Sequence, residues 1–332
     1  MSMLLLLAIL SGSAVDQQVV VSSSGAADQQ QATLVTMGEV MLRFSPIDAE
    51  DRTAEEDPTR HTPHPFLRSL GGDELNVAVA LRLLGIGARW ISVLPTGPLG
   101  DVVTASCAHY DVQFAGPRVP NSDLGTFYVL PEERTVHYQR RHSAFALHDP
   151  EQLDWSTLLD TPQPWLHVTG ITPLISEAAR RSWERALGRA AEASIPTSCD
   201  LNHRKQLGTL AQLWTIAAPH VPRLELLILS LEQLNGLALI ELGEAAAPPP
   251  LAVDADDADY FALMERLQLR WKCRRLVLCR KVRDASGVQV SAPRRSRHPE
   301  PASLGRSTAP PAQRSSAWPL ALCSLRSPPR DV

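Results

Sequence analysis

The sequence has little cysteine and no long apolar run, and both absences narrow the class of protein. Five cysteines occur among 332 residues, they form no C-x-x-C pair, and only Cys273 and Cys279 are near each other. This distribution favours reduced thiols in a cytosol-like compartment over a disulfide framework or a zinc site. No segment approaches the roughly 18–20 uninterrupted apolar residues of a transmembrane helix, so we expect no membrane partner.

An excess of charge of either sign is also missing. Lys and Arg total 32 against 36 Asp and Glu, which gives a net charge of −4. The sequence therefore gives no electrostatic reason to expect nucleic acid as a partner. With 332 residues, of which 44% are hydrophobic, the chain can form one large α/β domain or two modest ones.

The two ends of the chain differ in composition from the middle. Residues 4–10 are an apolar run that no Lys or Arg precedes. We predict that 1–32 is a disordered leader, with a targeting segment as the alternative. A cytoplasmic location is expected, and an organelle-targeted or secreted protein is the alternative. Residues 291–332 contain eight Pro, eight Ser and seven Arg, and this composition predicts a disordered tail.

Between the ends, short apolar runs alternate with stretches of helical periodicity. This alternation predicts a parallel sheet covered by helices. The predicted strands are 34–41, 90–94, 165–171, 195–201, 226–229 and 276–278, and the predicted helices are 75–84, 99–110, 176–193, 206–217 and 258–270. Residues 125–138 differ, because two strand-like runs flank a turn-like Pro-Glu-Glu-Arg. This pattern predicts a hairpin, which is either a lid over the ligand edge of the sheet or a surface hairpin without a role.

The most specific motif is a diglycine in front of a predicted helix. Gly71 and Gly72 precede a helical pattern with Asp73 and Glu74 in its first turn. Paired glycines leave room for a ligand to approach the backbone, and the free amides of a helix start can donate to ligand oxygens. Asn76 adds an amide that can both donate to and accept from a sugar hydroxyl. An ordinary junction between a loop and a helix remains the alternative.

Five segments, in this order, resemble the ribokinase (pfkB) family of carbohydrate kinases, and most closely its 2-keto-3-deoxygluconate kinase branch. They are GEVMLRFSP at 38–46, GGDELNVAVALRLLG at 71–85, YQRRHSA at 138–144, HVTGI at 167–171 and CDLNHR at 199–204. The resemblance implies a ribokinase-like, Rossmann-type parallel sheet flanked by helices over 33–290, with a small β lid at about 125–140. It also implies a sugar or sugar acid beneath the lid, and ATP with Mg²⁺ at the carboxyl edge of the sheet.

The resemblance further assigns roles to individual residues. The residues that it implies for substrate binding are Gly71, Gly72, Asn76, Phe127, Tyr138, Arg140 and Arg204. An arginine suits a carboxylate because its planar fork donates two parallel hydrogen bonds. Phe127 stands where the branch often has Tyr, which puts the choice of sugar in doubt. The residues implied for the nucleotide side are Asn202, Ser230 and Gln233. Relatives often pair through the lid, so a homodimer is a possible assembly.

One family motif is missing from this sequence. The family carries a late Gly-x-Gly-Asp, in which the helix start forms an anion hole and the Asp is the general base. No Gly-x-Gly-Asp occurs here, and Asp284 and Asp331 lack a glycine loop. We therefore assign no catalytic residue and no metal ligand, and we expect the C-terminal part of the domain to be truncated near residue 290. Gln233 stands where the family places a Glu that organises Mg²⁺.

Two functions remain open at this point. The first is an ATP-dependent kinase that phosphorylates a hydroxyl of a sugar or sugar acid, with impaired turnover. The second is an inactive protein that binds a sugar acid, with a regulatory role, or a truncated product. Detection of ADP formation, as opposed to ligand binding alone, distinguishes the first from the second.

Overall fold

The computed structural model describes residues 32–46, 66–130, 135–283 and 289–297. Within these residues the strands are β1 (Thr33–Met37), β2 (Met41–Pro46), β3 (Phe66–Gly71), β4 (Gly87–Ile91), β5 (Leu94–Pro95), β6 (Gln113–Ala115), β7 (Arg118–Val119), β8 (Gly125–Leu130), β9 (Thr135–Gln139), β10 (Pro164–Thr169), β11 (Thr197–Asp200), β12 (Leu226–Ser230), β13 (Arg275–Arg283) and β14 (Gln289–Arg297). The α-helices are α1 (Asp73–Leu83), α2 (Pro98–His109), α3 (Ala144–Leu147), α4 (Trp155–Leu158), α5 (Glu177–Glu192), α6 (Leu210–Ala217), α7 (Leu231–Leu242) and α8 (Asp257–Trp271). Short 3₁₀ helices occupy Pro150–Gln152, Thr172–Leu174 and Ala218–Arg223.

The main sheet of the described chain has the strand order β14, β13, β12, β11, β10, β1, β4, β6. Adjacent strands are parallel, apart from the antiparallel pair of β13 and β14. β12 is apolar along most of its length because both of its faces are covered. Leu227 and Leu229 pack into one buried cluster, whereas Leu226 and Ile228 pack into another. The predicted α/β fold with a parallel sheet and flanking helices is confirmed.

Several of the helices begin at a residue whose side chain accepts from a free amide of the first turn. Ser176 caps α5 by accepting a hydrogen bond from the Ala179 amide, and Thr209 forms a capping box with Gln212 at the start of α6.

The five predicted helices are all present, with shifted ends. The sequence prediction omits α7, which follows β12 without a loop and has Leu239 and Ile240 exposed. Apolar residues on both sides of α7 obscure the helical period.

A second sheet forms the lid, with the strand order β3, β2, β8, β9. β8 and β9 pair antiparallel, as the hairpin prediction requires, and β2 pairs antiparallel with β3 and parallel with β8. The lid is therefore larger than the predicted two-stranded hairpin. The prediction missed β3, which ends at Gly71, directly before α1.

The predicted strand at 34–41 is wrong as a single element. β1 ends at Met37 in the main sheet, and β2 begins at Met41 in the lid. The chain crosses between the sheets at Gly38. A Cβ built at Gly38 would lie 2.1 Å from a carboxylate oxygen of Glu74, so a side chain at this position is excluded by a distant residue. The apolar run alone carries no sign of this crossing.

The strand β14 also corrects the boundary of the predicted tail. It extends to Arg297 and pairs with β13 along nine residues, so residues 291–297 are not the disordered segment that composition predicts. The other tail residues, 298–332, and residues 1–31 of the predicted leader lie outside the described residues. No helix in the described part of the chain is both long and apolar enough to span a membrane.

Candidate functional site

A cleft of about 220 Å³ lies between the lid and the carboxyl ends of the main-sheet strands. All the residues predicted to bind substrate line it: Gly71, Gly72, Asn76, Phe127, Tyr138, Arg140 and Arg204. Residues from the ends of β1, β10 and β11 meet the lid strands here, because parallel strands all end at one edge of the sheet. The cleft therefore joins segments that are more than 160 residues apart in the chain.

The two glycines are required by packing inside the protein. A Cβ at Gly71 would lie 2.6 Å from the Phe127 ring, and a Cβ at Gly72 would lie 2.6 Å from the Glu39 carbonyl oxygen. The Phe127 ring itself packs beside the Tyr138 ring, with centroids 5.7 Å apart. The space that the glycines leave open is thus filled by an aromatic ring and by the backbone that crosses to the lid, while both glycines still line the cleft.

The start of α1 carries two carboxylates with different surroundings. Asp73 is partly exposed to the cleft. Glu74 is buried, and its carboxylate accepts hydrogen bonds from the Thr169 hydroxyl at 2.7 Å and the Thr172 hydroxyl at 3.2 Å. Burial, with a smaller contribution from the Asp73 charge, raises the pKa of Glu74 to about 7. Glu74 therefore carries only part of a negative charge at neutral pH.

Arg140 is bound to a buried carboxylate that the sequence analysis did not single out. Its Nε donates to Oε2 of Glu39 at 2.6 Å, and its Nη2 forms an ion pair with the same oxygen. The Ser143 hydroxyl donates to the other Glu39 oxygen. Burial raises the pKa of Glu39, and the Arg140 charge and the Ser143 hydrogen bond oppose that rise. The charge of Arg140 is consequently balanced within the protein.

Arg204 is held more loosely at the opposite wall. Its Nη2 lies 3.4 Å from each carboxylate oxygen of Asp73, and its side chain is 42% exposed. Asn202, two residues earlier, has a left-handed φ of 37° and donates its amide to the Asp200 carboxylate at 3.0 Å. Burial, and secondarily the Asp73 charge, raises the pKa of Asp200 to about 7. This turn directs Arg204 from the end of β11 into the cleft.

The three residues predicted for the nucleotide side do not line this cleft. Ser230 and Gln233 form a capping box at the start of α7, in which Ser230 N donates to Gln233 Oε1 at 2.8 Å and Gln233 N donates to Ser230 Oγ at 3.3 Å. Both side chains therefore satisfy the helix start. A role of these residues and of Asn202 toward a nucleotide stays a prediction.

The sequence analysis missed several residues of the cleft. They are Glu39, Met41, Arg43, Leu70, Asp73, Glu74 and Ile171. Alternation along β2 is the signal that could have found two of them, because Met41 and Arg43 line the cleft while Leu42 is buried on the other face. The sequence pattern indicates Asp73 and Glu74 only as residues typical of a helix start.

The described residues do not fit a complete site for Mg-ATP. They contain no group of three or more His, Cys, Asp or Glu that could bind a metal ion. Asp284 lies outside the described residues, and the sequence has no Gly-x-Gly-Asp. What the described chain contains is a cleft lined by three arginines, by Asn76 and by the start of α1.

Comparisons with known proteins agree with this geometry. A model of the pfkB family of carbohydrate kinases matches residues 31–222. The chain is 30% identical over 233 residues to a 2-dehydro-3-deoxygalactonokinase of Haloferax volcanii, a match that covers 69% of each chain. It is 23% identical over 172 residues to a 2-dehydro-3-deoxygluconokinase of Thermoproteus tenax, a match that spans half of each. A solved 2-dehydro-3-deoxygluconokinase of Thermotoga maritima has the same fold, with a TM-score of 0.62, 24% identity, and coverage of 80% of this chain and 77% of that one.

Proposed function

Because the chain belongs to the pfkB family of carbohydrate kinases, we propose that its cleft binds a 2-keto-3-deoxy sugar acid. The observation that carries this proposal is the convergence of Arg43, Arg140 and Arg204 on one small cleft beside a helix start. A neutral sugar needs hydroxyl partners but no concentration of guanidinium groups, whereas an acid needs both. Two relatives are named for the phosphorylation of such acids.

Each wall of the cleft suits a different part of this ligand. Arg204 is suited to the carboxylate, because its fork is exposed and only weakly bound to Asp73. The side chain of Asn76 and the first-turn amides of α1 are suited to hydroxyl and carbonyl oxygens. Tyr138 adds a phenol at the lid side. Arg140 contributes mainly as a hydrogen-bond donor, since Glu39 balances its charge.

Phosphoryl transfer from ATP is the reaction of the family, and we propose that this chain of 332 residues catalyses it slowly. A general base near the reacting hydroxyl contributes typically 10²–10⁴-fold to such a rate. The family's base belongs to a motif that the sequence lacks. We likewise propose that Mg²⁺ accompanies ATP.

A second candidate function is a sugar-acid sensor without turnover. It is favoured by the capping box of Ser230 and Gln233, which engages the side chains at the positions assigned to the nucleotide side. Ser230 and Gln233 do not line the cleft, so a ligand could bind there without being phosphorylated.

A binding experiment combined with an activity assay tests both functions. Thermal unfolding of the purified chain is measured with 2-dehydro-3-deoxygalactonate, 2-dehydro-3-deoxygluconate and, as a control, fructose. We expect stabilisation by at least one acid and little by fructose. ADP formation above background with that acid supports the kinase, and stabilisation without ADP supports the sensor. Equal response to all three compounds, or to none, contradicts the proposed function.

We also propose a homodimer formed through the lid. Phe66 is 41% exposed and packs edge-on to Tyr128, and the neighbouring Leu67 is 60% exposed. An apolar, aromatic patch on a sheet suits a protein partner. Sedimentation of the wild type and of Leu67→Glu tests this assembly, since the added charge should yield monomers. A wild-type monomer contradicts it.

A further inference from the structure

Arg43 is a cleft residue to which the family resemblance assigns no role. It lies on β2 opposite Phe127 in register, and both residues line the cleft. A Cβ built at Gly71 would lie 3.8 Å from the Cβ of Arg43, so the side chain starts next to the diglycine. The neighbouring residue Leu42 is buried on the opposite face of the strand. The strand therefore directs Arg43 to the side on which a ligand would bind.

The polar contact of Arg43 leaves its charge without an acidic partner among the described residues. Its Nε donates to the hydroxyl of Ser45 at 2.9 Å, and this partner is neutral. The other two arginines of the cleft each face a carboxylate: Arg140 faces Glu39, and Arg204 faces Asp73. Arg43 is also exposed, so its terminal nitrogens are available to a ligand.

The distribution of charge in the cleft then points to an anionic ligand group near β2. The third carboxylate, Glu74, accepts hydrogen bonds from Thr169 and Thr172. A guanidinium that lacks a counter-charge in a partly enclosed cleft attracts a carboxylate more strongly than the same group does in open water. Its planar fork can also donate two hydrogen bonds to that carboxylate.

We propose that Arg43 joins Arg204 in binding the carboxylate of the substrate and contributes to the preference of the cleft for sugar acids over neutral sugars. This inference rests on the proposed function. A lid arginine that is merely solvated is the alternative, and Arg68 provides the matched control. Arg68 is exposed on the adjacent strand β3, in register with Phe44, and does not line the cleft.

Calorimetric titration of the full chain with two ligands tests the inference. The ligands are 2-dehydro-3-deoxygluconate and 3-deoxyfructose, which carries a CH₂OH group where the acid carries its carboxylate. For Arg43→Gln we expect roughly tenfold weaker binding of the acid, the size of one lost hydrogen bond to a charged group, with no change for 3-deoxyfructose. Arg43→Lys should recover part of the loss, and Arg68→Gln should bind both ligands as the wild type does.

Three other outcomes would contradict the inference, and the last of them would also contradict the proposed function. If the wild type prefers the acid and Arg43→Gln retains that preference, Arg43 has no role in specificity. If Arg43→Gln loses both ligands equally, its role is structural and the inference is wrong. If the wild type binds neither ligand, or binds both equally, the proposed function fails, and the inference fails with it. Thermal unfolding of each variant verifies that the folded population is the same.

Discussion

The guanidinium of Arg140 and the carboxylate of Glu39 form a largely buried ion pair between the lid and the main sheet, 101 residues apart in the sequence. Arg140 follows the last lid strand, and Glu39 lies where the chain crosses from β1 to β2. Ser143, the cap of α3, donates to the same carboxylate. The carboxylate of Glu39 therefore contacts two residues at the base of the lid, Arg140 and Ser143.

Glu39→Gln is expected to destabilise the protein strongly. The substitution removes the counter-charge of Arg140 but leaves the guanidinium nearly buried, and an uncompensated charge of this kind costs about 3–5 kcal/mol. Urea unfolding measures the change in the free energy of unfolding. Glu184→Gln is the control, because Glu184 pairs with Arg180 on the exposed face of α5 and should change stability by less than about 1 kcal/mol. Equal effects of the two substitutions would contradict the importance of the buried pair.

Alanine at the two glycines should have unequal effects. At Gly72 the new methyl group would meet the Glu39 carbonyl oxygen, which belongs to the backbone, whereas at Gly71 it would meet the edge of the Phe127 ring. A ring can rotate or shift more easily than a backbone crossing. We expect a cost of about 1–3 kcal/mol for Gly71→Ala, and a larger one for Gly72→Ala.

The same clash provides a double-variant test. Adding Phe127→Leu to Gly71→Ala should recover part of the lost stability, but it should not rescue Gly72→Ala, because the nearest atoms to a Cβ at Gly72 belong to the backbone of Glu39 and Val40. Thermal unfolding midpoints of the five variants are sufficient to compare them. Rescue of both glycine variants by Phe127→Leu would show that the ring is not the specific obstacle.

Arg204→Gln should weaken binding of the sugar acid by at least tenfold, because it removes a fork that faces the cleft. The neighbouring Lys205 is the control. Its side chain is 75% exposed and pairs with Glu232 at 2.6 Å, away from the cleft. Lys205→Gln should leave the dissociation constant unchanged in calorimetric titration. A dissociation constant for Arg204→Gln within twofold of the wild type would remove Arg204 from the proposed site.

Stability should depend on pH through Glu74. Its pKa is about 7 in the folded protein against 4.5 ordinarily, so the folded state binds more protons than the unfolded state between these values. The stabilisation is therefore complete below about pH 4.5 and is lost as the pH rises through 7. The loss is up to about 3 kcal/mol for one group.

Glu74→Gln isolates this contribution, because glutamine resembles the protonated carboxyl and does not titrate. Urea unfolding at several pH values should show the variant gaining on the wild type from pH 5 to pH 8. Most other carboxylates titrate alike in both proteins and cancel in the difference, whereas Asp200 cancels less completely, because the Glu74 charge contributes to raising its pKa. A difference that stays constant over this range would show that Glu74 is already ionised at pH 5.

The capping box at α7 leads to a prediction about Gln233. Ser230→Ala should cost about 1 kcal/mol, the usual loss for an N-cap. Gln233→Glu should cost almost nothing, because Glu accepts the same hydrogen bond in a capping box and lies near the positive end of the helix. Thermal unfolding compares the two. A loss for Gln233→Glu as large as that for Ser230→Ala would mean that the burial of a charge there outweighs the cap.

Much of the fold could be predicted from local pattern. The apolar run at 226–229 indicates a strand covered on both faces, and the diglycine followed by acids indicates the start of α1. The break at Gly38 could not be predicted from the apolar run, because the residue that leaves no room for a side chain there is Glu74, 36 residues further along. The strand β3 also escaped prediction, since Phe66–Gly71 is short and its exposed residues do not alternate regularly.

The candidate site was predictable in part of its residues but not in its charge balance. The resemblance identified Arg140 and Arg204, and the cleft contains both. Sequence alone treats them as equivalent cations. In the structure they differ in burial and in pairing, because Arg140 is nearly buried in an ion pair with Glu39, whereas Arg204 is more exposed and only loosely paired with Asp73. The carboxylate partners come from other segments, so only the tertiary structure distinguishes an arginine that supports the lid from one that is free to bind a ligand.

The attachment of the lid through Glu39 limits how this domain can be recombined. A lid grafted from a carbohydrate kinase that lacks an arginine at the position of Arg140 would leave Glu39 and Ser143 in the recipient without their partner. Such a chimera would bury an unmatched carboxylate at the base of the graft. Modular exchange between relatives must therefore transfer these three residues as one unit, although Glu39 lies 101 residues before Arg140 and 104 before Ser143 in the sequence.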